Sequence, residues 1–166
     1  LKLQNLTSET YYSESAPGQQ ELSIKCTSPL KAADNQILYK ETIRSIAFKH
    51  NLSASFTAKP QIDQGGNGCH IHLSGWDKNY TTNLFYEKNN NYNLSKTAKH
   101  FMAGILKHTP ALLALTASTV NSYRRIVPDF WASAFTSWGP NNREATIRVL
   151  PGATGNENET LNFEYK

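Results

Sequence analysis

The sequence has no apolar run approaching the ~20 residues that a bilayer-spanning helix needs, and its first residues carry no leader pattern. A membrane protein and a secreted precursor are therefore not expected, and a cytoplasmic location is. There are only two cysteines, Cys26 and Cys69, among 166 residues. That number is too small for a disulfide scaffold and fits reduced thiols serving as packing residues. Arginine is scarce, with 5 against 12 lysines, and the net charge of +4 is too modest to suggest a nucleic-acid or membrane-surface binder. No internal repeat, linker or domain boundary is visible. Charged residues make up 18% and hydrophobic residues 39%, a globular rather than disordered balance. Five Asn-X-Ser/Thr sequons, at Asn5, Asn51, Asn79, Asn93 and Asn158, read as products of an asparagine-rich composition.

What the sequence does have is concentrated in Gly65-Gly66-Asn67-Gly68-Cys69-His70-Ile71-His72-Leu73-Ser74. Three glycines within four residues belong to neither a helix nor an ordinary strand interior. They let the backbone approach a partner closely. A strand is expected to follow, with His70 and His72 on one face and Ile71 and Leu73 turned into a core. Two imidazoles after a flexible turn could hold a metal, a phosphate or both. A buried strand with two hydrogen-bonded histidines would give the same pattern, and these ten residues alone do not separate the two.

Along the rest of the chain, residues 1–17 are polar and irregular. Pro17-Gly18 signals a turn, and a strand follows with Leu22, Ile24 and Cys26 on one side and Glu21, Ser23 and Lys25 on the other. Glu14 and Glu21 flank that turn, as two ligands of one site or as two surface carboxylates. Ser28-Pro29 opens a helix. Its apolar face would be Leu30, Ala33, Ile37, Ile43, Ile46 and Ala47, and it would run to about Lys49. Residues 52–58 alternate like a strand, and a short hairpin is expected near Leu84-Phe85-Tyr86. Ser95 caps a second helix with Ala98, Phe101, Met102, Ile105 and Leu106 as its stripe. Pro110 would end or kink it, and residues 111–117 form a further helical run. Residues 120–139 read as a long, aromatic, arginine-bearing loop of the kind that carries function. Four of the five arginines lie between Arg124 and Arg148, and their forks suit carboxylate and phosphate. Glu144–Leu150 and Leu161–Lys166 read as closing strands. In the last, Leu161, Phe163 and Tyr165 alternate with Asn162, Glu164 and Lys166.

Five motifs in this order resemble the catalytic domain of glutamine synthetases, over about residues 13–166. They are Glu14-Ser-Ala-Pro-Gly-Gln-Gln-Glu21; Lys59-Pro60 leading to Gly66-Asn-Gly-Cys-His-Ile-His-Leu-Ser74; Asn121-Ser-Tyr-Arg-Arg-Ile-Val-Pro128; Asn142-Arg143 with Arg148; and Phe163-Glu164-Tyr165. Pro17-Gly18-Gln19 and the 131–139 segment look closest to the branch containing FluG and the nodulin-like glutamine synthetases. The resemblance implies an α+β fold: a mainly antiparallel curved sheet carrying Glu21, His70, Arg148 and Glu164 on one face, with helices 29–49 and 95–109 on the other.

The resemblance also implies roles. Glu14 and Glu21 would bind one divalent cation, Mg²⁺ or Mn²⁺, and His70 and Glu164 a second. His72, Leu73 and Ser74 would touch ATP, and Arg143 its phosphates. Gly66 would offer backbone to glutamate, while Arg125 and Arg148 would hold carboxylate and developing phosphoryl charge. The implied reaction is attack of the glutamate γ-carboxylate on ATP, then displacement of phosphate by ammonia or an amine, in a homo-oligomer. Arg124 and Trp138 carry no defined role.

Three departures stand out. Trp131 occupies the position of a loop glutamate that helps deprotonate ammonium in ammonia-using members. Lys166 replaces an arginine. The N-terminal β-grasp domain, a Glu-X-Glu strand and the C-terminal remainder are not in the sequence, which is expected to be part of a catalytic domain. Two functions follow: an ATP-dependent γ-glutamyl ligase, or a non-catalytic glutamine synthetase-like structural or signalling protein.

Overall fold

Gly18 takes φ +74°, a left-handed conformation open to glycine, and so closes the Pro17-Gly18 turn. In the computed structural model, which describes all of residues 1–166, that turn joins Ser8–Ser13 (β1) to Gln20–Ile24 (β2) as an antiparallel hairpin. The expectation of an irregular stretch before Gly18 is thus corrected. Ser8, Glu9 and Ser13 are weak strand signals in β1, but Thr10 and Tyr12 find cross-strand partners in Ser23 and Glu21.

Pro29–Lys49 (α1) begins one residue after Ser28, where the sequence places it. Most of its expected apolar face is exposed. Leu30 is 76% and Ile37 66% exposed, and Asn35 is its one buried residue. Residues 52–58 form no strand. Instead the Phe56 ring packs edge-on against Tyr39 and under the cations of Lys40 and Arg44. An aromatic anchor on α1 stands here in place of strand pairing.

Contacts divide the chain into two compact units, Leu1–Gly65 and Gly66–Lys166, where the sequence marks no boundary. The second unit is built on a four-stranded sheet. Its strands are Ile71–Leu73 (β3), Phe135–Pro140 (β4), Ala145–Leu150 (β5) and Asn162–Tyr165 (β6), in the order β3-β6-β5-β4. The β3/β6 and β6/β5 pairs are antiparallel and β5/β4 is parallel. Glu21 belongs to the separate two-stranded sheet, so it does not share a sheet with His70, Arg148 and Glu164 as expected.

Lys96–Thr116 (α2) is one continuous helix with Pro110 inside it, rather than two runs. Ser95 caps it by accepting from the Ala98 N–H at 3.0 Å. Beyond the proline, Leu112 packs on the core and keeps the last turns in place. The aromatic loop contains a short helix, Val120–Arg125 (α3), and the edge strand β4. A final turn of helix, Glu157–Thr160 (α4), leads into β6. The region around Phe85 makes isolated bridges, Trp76 with Asn83 and Tyr86 with Leu94, and no strand hairpin.

The core of this unit gathers Phe85, Leu94, Ala98, Met102, Ile147, Val149, Leu161, Phe163 and Tyr165. Alternation in β5 and β6 sends Ile147, Val149, Phe163 and Tyr165 to the α2 side and Arg148 and Glu164 to the other. Leu73 packs on that core, but Ile71 is 47% exposed because β3 is an edge strand. Both cysteines are exposed, contrary to the expected packing role.

Candidate active site

The polar face of the sheet is organised by register. His72 lies opposite Glu164 across β3/β6, and Arg148 opposite Glu164 across β6/β5. Glu164 is therefore flanked on both sides. Its Oε1 sits 2.9 Å from His70 Nδ1, and its Oε2 is 3.1 Å from Arg148 Nη1. Oε2 is buried and has no hydrogen-bond partner of good geometry, so the Arg148 charge is its main compensation.

Burial alone would raise the Glu164 carboxyl. The hydrogen bond and charge of His70, with the charges of Arg148 and Lys166, instead hold it at about 2, below the ordinary 4.5. A folded value below the unfolded one contributes stability that is complete above the unfolded value and lost as pH falls toward the folded one. Between pH 6 and pH 3, the stability measured by chemical denaturation should drop by about 2 kcal/mol on account of this group. In Glu164→Gln that part of the acid limb should disappear. An unchanged limb would mean that other carboxylates carry it.

Arg125, in the last turn of α3, reaches His70 from the other side, with Nη2 3.0 Å from Nε2. A guanidinium only donates, so Nε2 accepts and the proton of His70 lies on Nδ1, toward Glu164. Burial pulls the Arg125 guanidinium below its ordinary value, opposed by the charge of Cys69. Gly68 makes this contact possible. A Cβ there would stand 2.5 Å from His70 Nε2 and 2.8 Å from Arg125 Nη2. The glycine cluster thus serves a close approach of side chains to backbone.

A second group lies further along the same strands. Glu144, Thr146 and Arg148 alternate along β5 and its leading residue. Glu144 Oε1 accepts the Trp131 N–H at 2.8 Å. Lys166 donates to the carbonyls of Trp131 and Arg143, and the Arg143 guanidinium lies 5.3 Å from the centre of the Trp131 ring. Trp131 has φ +52°, a strained value for a bulky residue, and these three contacts hold it there. Its ring is 53% exposed. Burial lowers the Lys166 ammonium; Glu164 and Glu144 oppose that, and Arg148 and Arg125 reinforce it.

The structure thus brings His70, His72, Arg125, Arg148 and Glu164 onto one face, with Arg143 beside Trp131. Gly66 opens the second unit and is half-buried. The Leu73 side chain belongs to the core, and the Ser74 hydroxyl accepts from Trp76 Nε1 at 2.9 Å. Glu14 and Glu21 both lie in the first unit. Glu14 accepts from the Ser15 N–H at 3.0 Å, and Glu21 from the Tyr12 hydroxyl. Reading the sequence did not single out Glu144 or Asn162. Their signal was present in the alternation with Arg148 and Glu164.

Carboxylate oxygen and imidazole nitrogen are suitable donors for Mg²⁺ or Mn²⁺. The donors gathered here are too few to hold such an ion by themselves. No three His, Cys, Asp or Glu side chains gather to hold a metal, and the His70 Nε2 lone pair is taken by Arg125. Millimolar Mg²⁺ or Mn²⁺ is expected to move the melting temperature of this chain by less than about 1 °C. A rise of several degrees would show that further donors join the pair.

A mainly antiparallel sheet backed by a helix, with a row of arginine, histidine and glutamate on the face away from that helix, defines an α+β domain. Residues 1–166 match the family model of the glutamine synthetase catalytic domain, and the chain belongs to that family. It is 40% identical over its whole length to a γ-glutamylpolyamine synthetase of Streptomyces coelicolor, of which it covers 35%. It is 45% identical over 93% of its length to a glutamine synthetase of Methanocaldococcus jannaschii, of which it covers 34%. The structure of Plasmodium falciparum glutamine synthetase superposes on 97% of this chain with a TM-score of 0.85 at 32% identity, and 30% of that protein is covered. The chain thus spans about a third of the length of these relatives. No helix is long and apolar enough to cross a membrane.

Proposed function

We propose that this chain carries part of the active site of an ATP-dependent ligase that joins the γ-carboxylate of glutamate to an amine. The observation that carries this reading is the row Arg125–His70–Glu164–Arg148, fixed by contacts of 2.9 to 3.1 Å on one face of the sheet. The γ-carboxylate oxygen attacks the γ-phosphorus of ATP, the bond to the β–γ bridging oxygen breaks, and ADP leaves. The amine nitrogen then attacks the acyl carbon of the γ-glutamyl phosphate, loses a proton, and phosphate departs. In this scheme Arg125 and Arg148 face the carboxylate and phosphoryl charge, and Arg143 the ATP phosphates. His72 and Ser74 border the nucleotide, and the backbone at Gly66 borders glutamate. Glu14 and Glu21 are proposed ligands for one divalent cation, and His70 and Glu164 for a second. Neither pair by itself completes a metal site, so no step is assigned to a cation. A homo-oligomer is part of the same proposal.

The acceptor is proposed to be an organic amine. Trp131 presents a half-exposed indole where ammonia-using members are expected to carry a carboxylate, and an aromatic face attracts an alkylammonium by ~0.5–2 kcal/mol. The kinship with a γ-glutamylpolyamine synthetase supports this choice. Phosphate release by the natural protein, with ATP, glutamate and each of ammonium, ethanolamine and a diamine, is the test. A kcat/KM at least tenfold higher for an organic amine is expected. Faster turnover with ammonium than with every organic amine would overturn the acceptor assignment and leave the ligase standing.

A non-catalytic member of the family is the second reading, favoured by the absence of three gathered metal donors. No phosphate release with any acceptor, from protein that is folded and assembled, would decide for it.

A further inference from the structure

Asn162 is the first residue of β6, and its side chain faces His72. Its two amide atoms are distinguishable by their partners. Nδ2 lies 2.8 Å from the Thr160 carbonyl oxygen, which can only accept. The nitrogen must therefore point to Thr160, and Oδ1 must point to His72. Oδ1 is in turn 2.9 Å from His72 Nδ1. An amide oxygen can only accept, so Nδ1 carries the proton. Thr160 is itself held, donating to the Asn156 carbonyl at 2.7 Å and accepting the Ala153 N–H at 2.7 Å. The orientation of Asn162 is thus set by the turn before β6.

We propose that Asn162 is a positioning residue that fixes the tautomer of His72, making Nε2 a hydrogen-bond acceptor at the ligand face. His70 has the same tautomer for a different reason, but its Nε2 lone pair is filled by Arg125. The Nε2 of His72 accepts no hydrogen bond, and Glu164 Oε1, another acceptor, stands 4.0 Å away. A neutral His72 held this way receives a donor or a cationic group and does not itself donate to a phosphate oxygen. The ligand group it meets is of the N–H, O–H or cation class. This assigns His72 a side of the ligand chemistry that neither its position nor its residue type fixes. The ligand consequence rests on the proposed function, but the tautomer does not.

The test is long-range ¹H–¹⁵N NMR of the ¹⁵N-histidine-labelled chain at about pH 8, above the ordinary imidazole range. His72 is assigned by comparison with His72→Gln. In the wild type the expected spectrum has a protonated Nδ1 and a bare Nε2 for this ring. Asn162→Asp keeps the accepting oxygen and should keep the pattern. Asn162→Leu should lose it, with the Nε2–H form becoming predominant. A wild-type His72 in the Nε2–H form overturns the proposal, whatever the variants do. So does an Asn162→Leu protein whose core methyl and aromatic signals are native and whose His72 is unchanged. Should the leucine variant fail to fold, the wild-type and aspartate spectra still decide. A ligase that fails to turn over while this pattern holds would sink the functional reading and leave the tautomer intact.

Discussion

Phe163→Ala is expected to destabilise the chain by about 4 kcal/mol, within the range for aromatic truncation in a closed core. Phe163 is fully buried. Its ring stacks on Phe85, with centroids 4.7 Å apart and planes inclined by 16°. It sits on β6, which has a strand on either side, so the hole left by alanine cannot be filled by shifting an edge. Part of the loss is the apolar area no longer withdrawn from water, and part is the cavity itself. Urea denaturation of wild type and variant measures the difference. Phe163→Leu, which fills more of the space, should lose about half as much. A loss below about 2 kcal/mol for the alanine would mean that β6 and α2 collapse onto the gap.

Arg148→Met should cost about 3 kcal/mol, for an electrostatic reason. Glu164 is 7% exposed in its side chain, and Arg148 is 3.1 Å from an oxygen that has no other partner. Methionine keeps the apolar stem of Arg148 and removes the charge, leaving a buried carboxylate uncompensated on that side. Breaking a buried pair from one end costs ~3–5 kcal/mol. The low end applies because Arg148 is itself 21% exposed. The Glu164 carboxyl should then titrate higher, moving acid unfolding to higher pH. Combining Arg148→Met with Glu164→Gln removes the stranded charge and should recover more than half of the loss, a coupling that the double-mutant cycle reads directly. A single-variant loss under 1 kcal/mol would show that His70 and Lys166 suffice to hold the carboxylate.

How far the sequence led differs from element to element. The alternation of Leu161, Phe163 and Tyr165 with Asn162, Glu164 and Lys166 is a property of six adjacent residues, and β6 formed as written. Ser95 and Ser28-Pro29 are local start signals, and both helices begin beside them. Residues 52–58 alternate equally well and form no strand: alternation is a property of one segment, whereas a strand also needs a second one paired along it. Pro110 is a local stop signal overridden by the burial of Leu112 on the core. The apolar stripe of α1 was visible, but no periodicity states whether a partner covers it.

The sequence by itself determined the family, through five ordered motifs, and it singled out His70, His72, Arg125, Arg148 and Glu164, which the fold brings onto one face. It also determined that Arg148 and Glu164 would each oppose a core residue in their strands, since strand faces alternate by covalent geometry. Only the tertiary structure decided who meets whom. The register of β5 against β6 placed Arg148 opposite Glu164, and α3 delivered Arg125 to a histidine 55 residues earlier. The pinning of Trp131 by Glu144 depends on a loop backbone at positive φ that its residue types disfavour. The proton on His72 is set by an amide 90 residues away. Hydrogen bonds act over about 3 Å whatever the separation in sequence, so the state of a side chain is written only where the folded chain brings its partner.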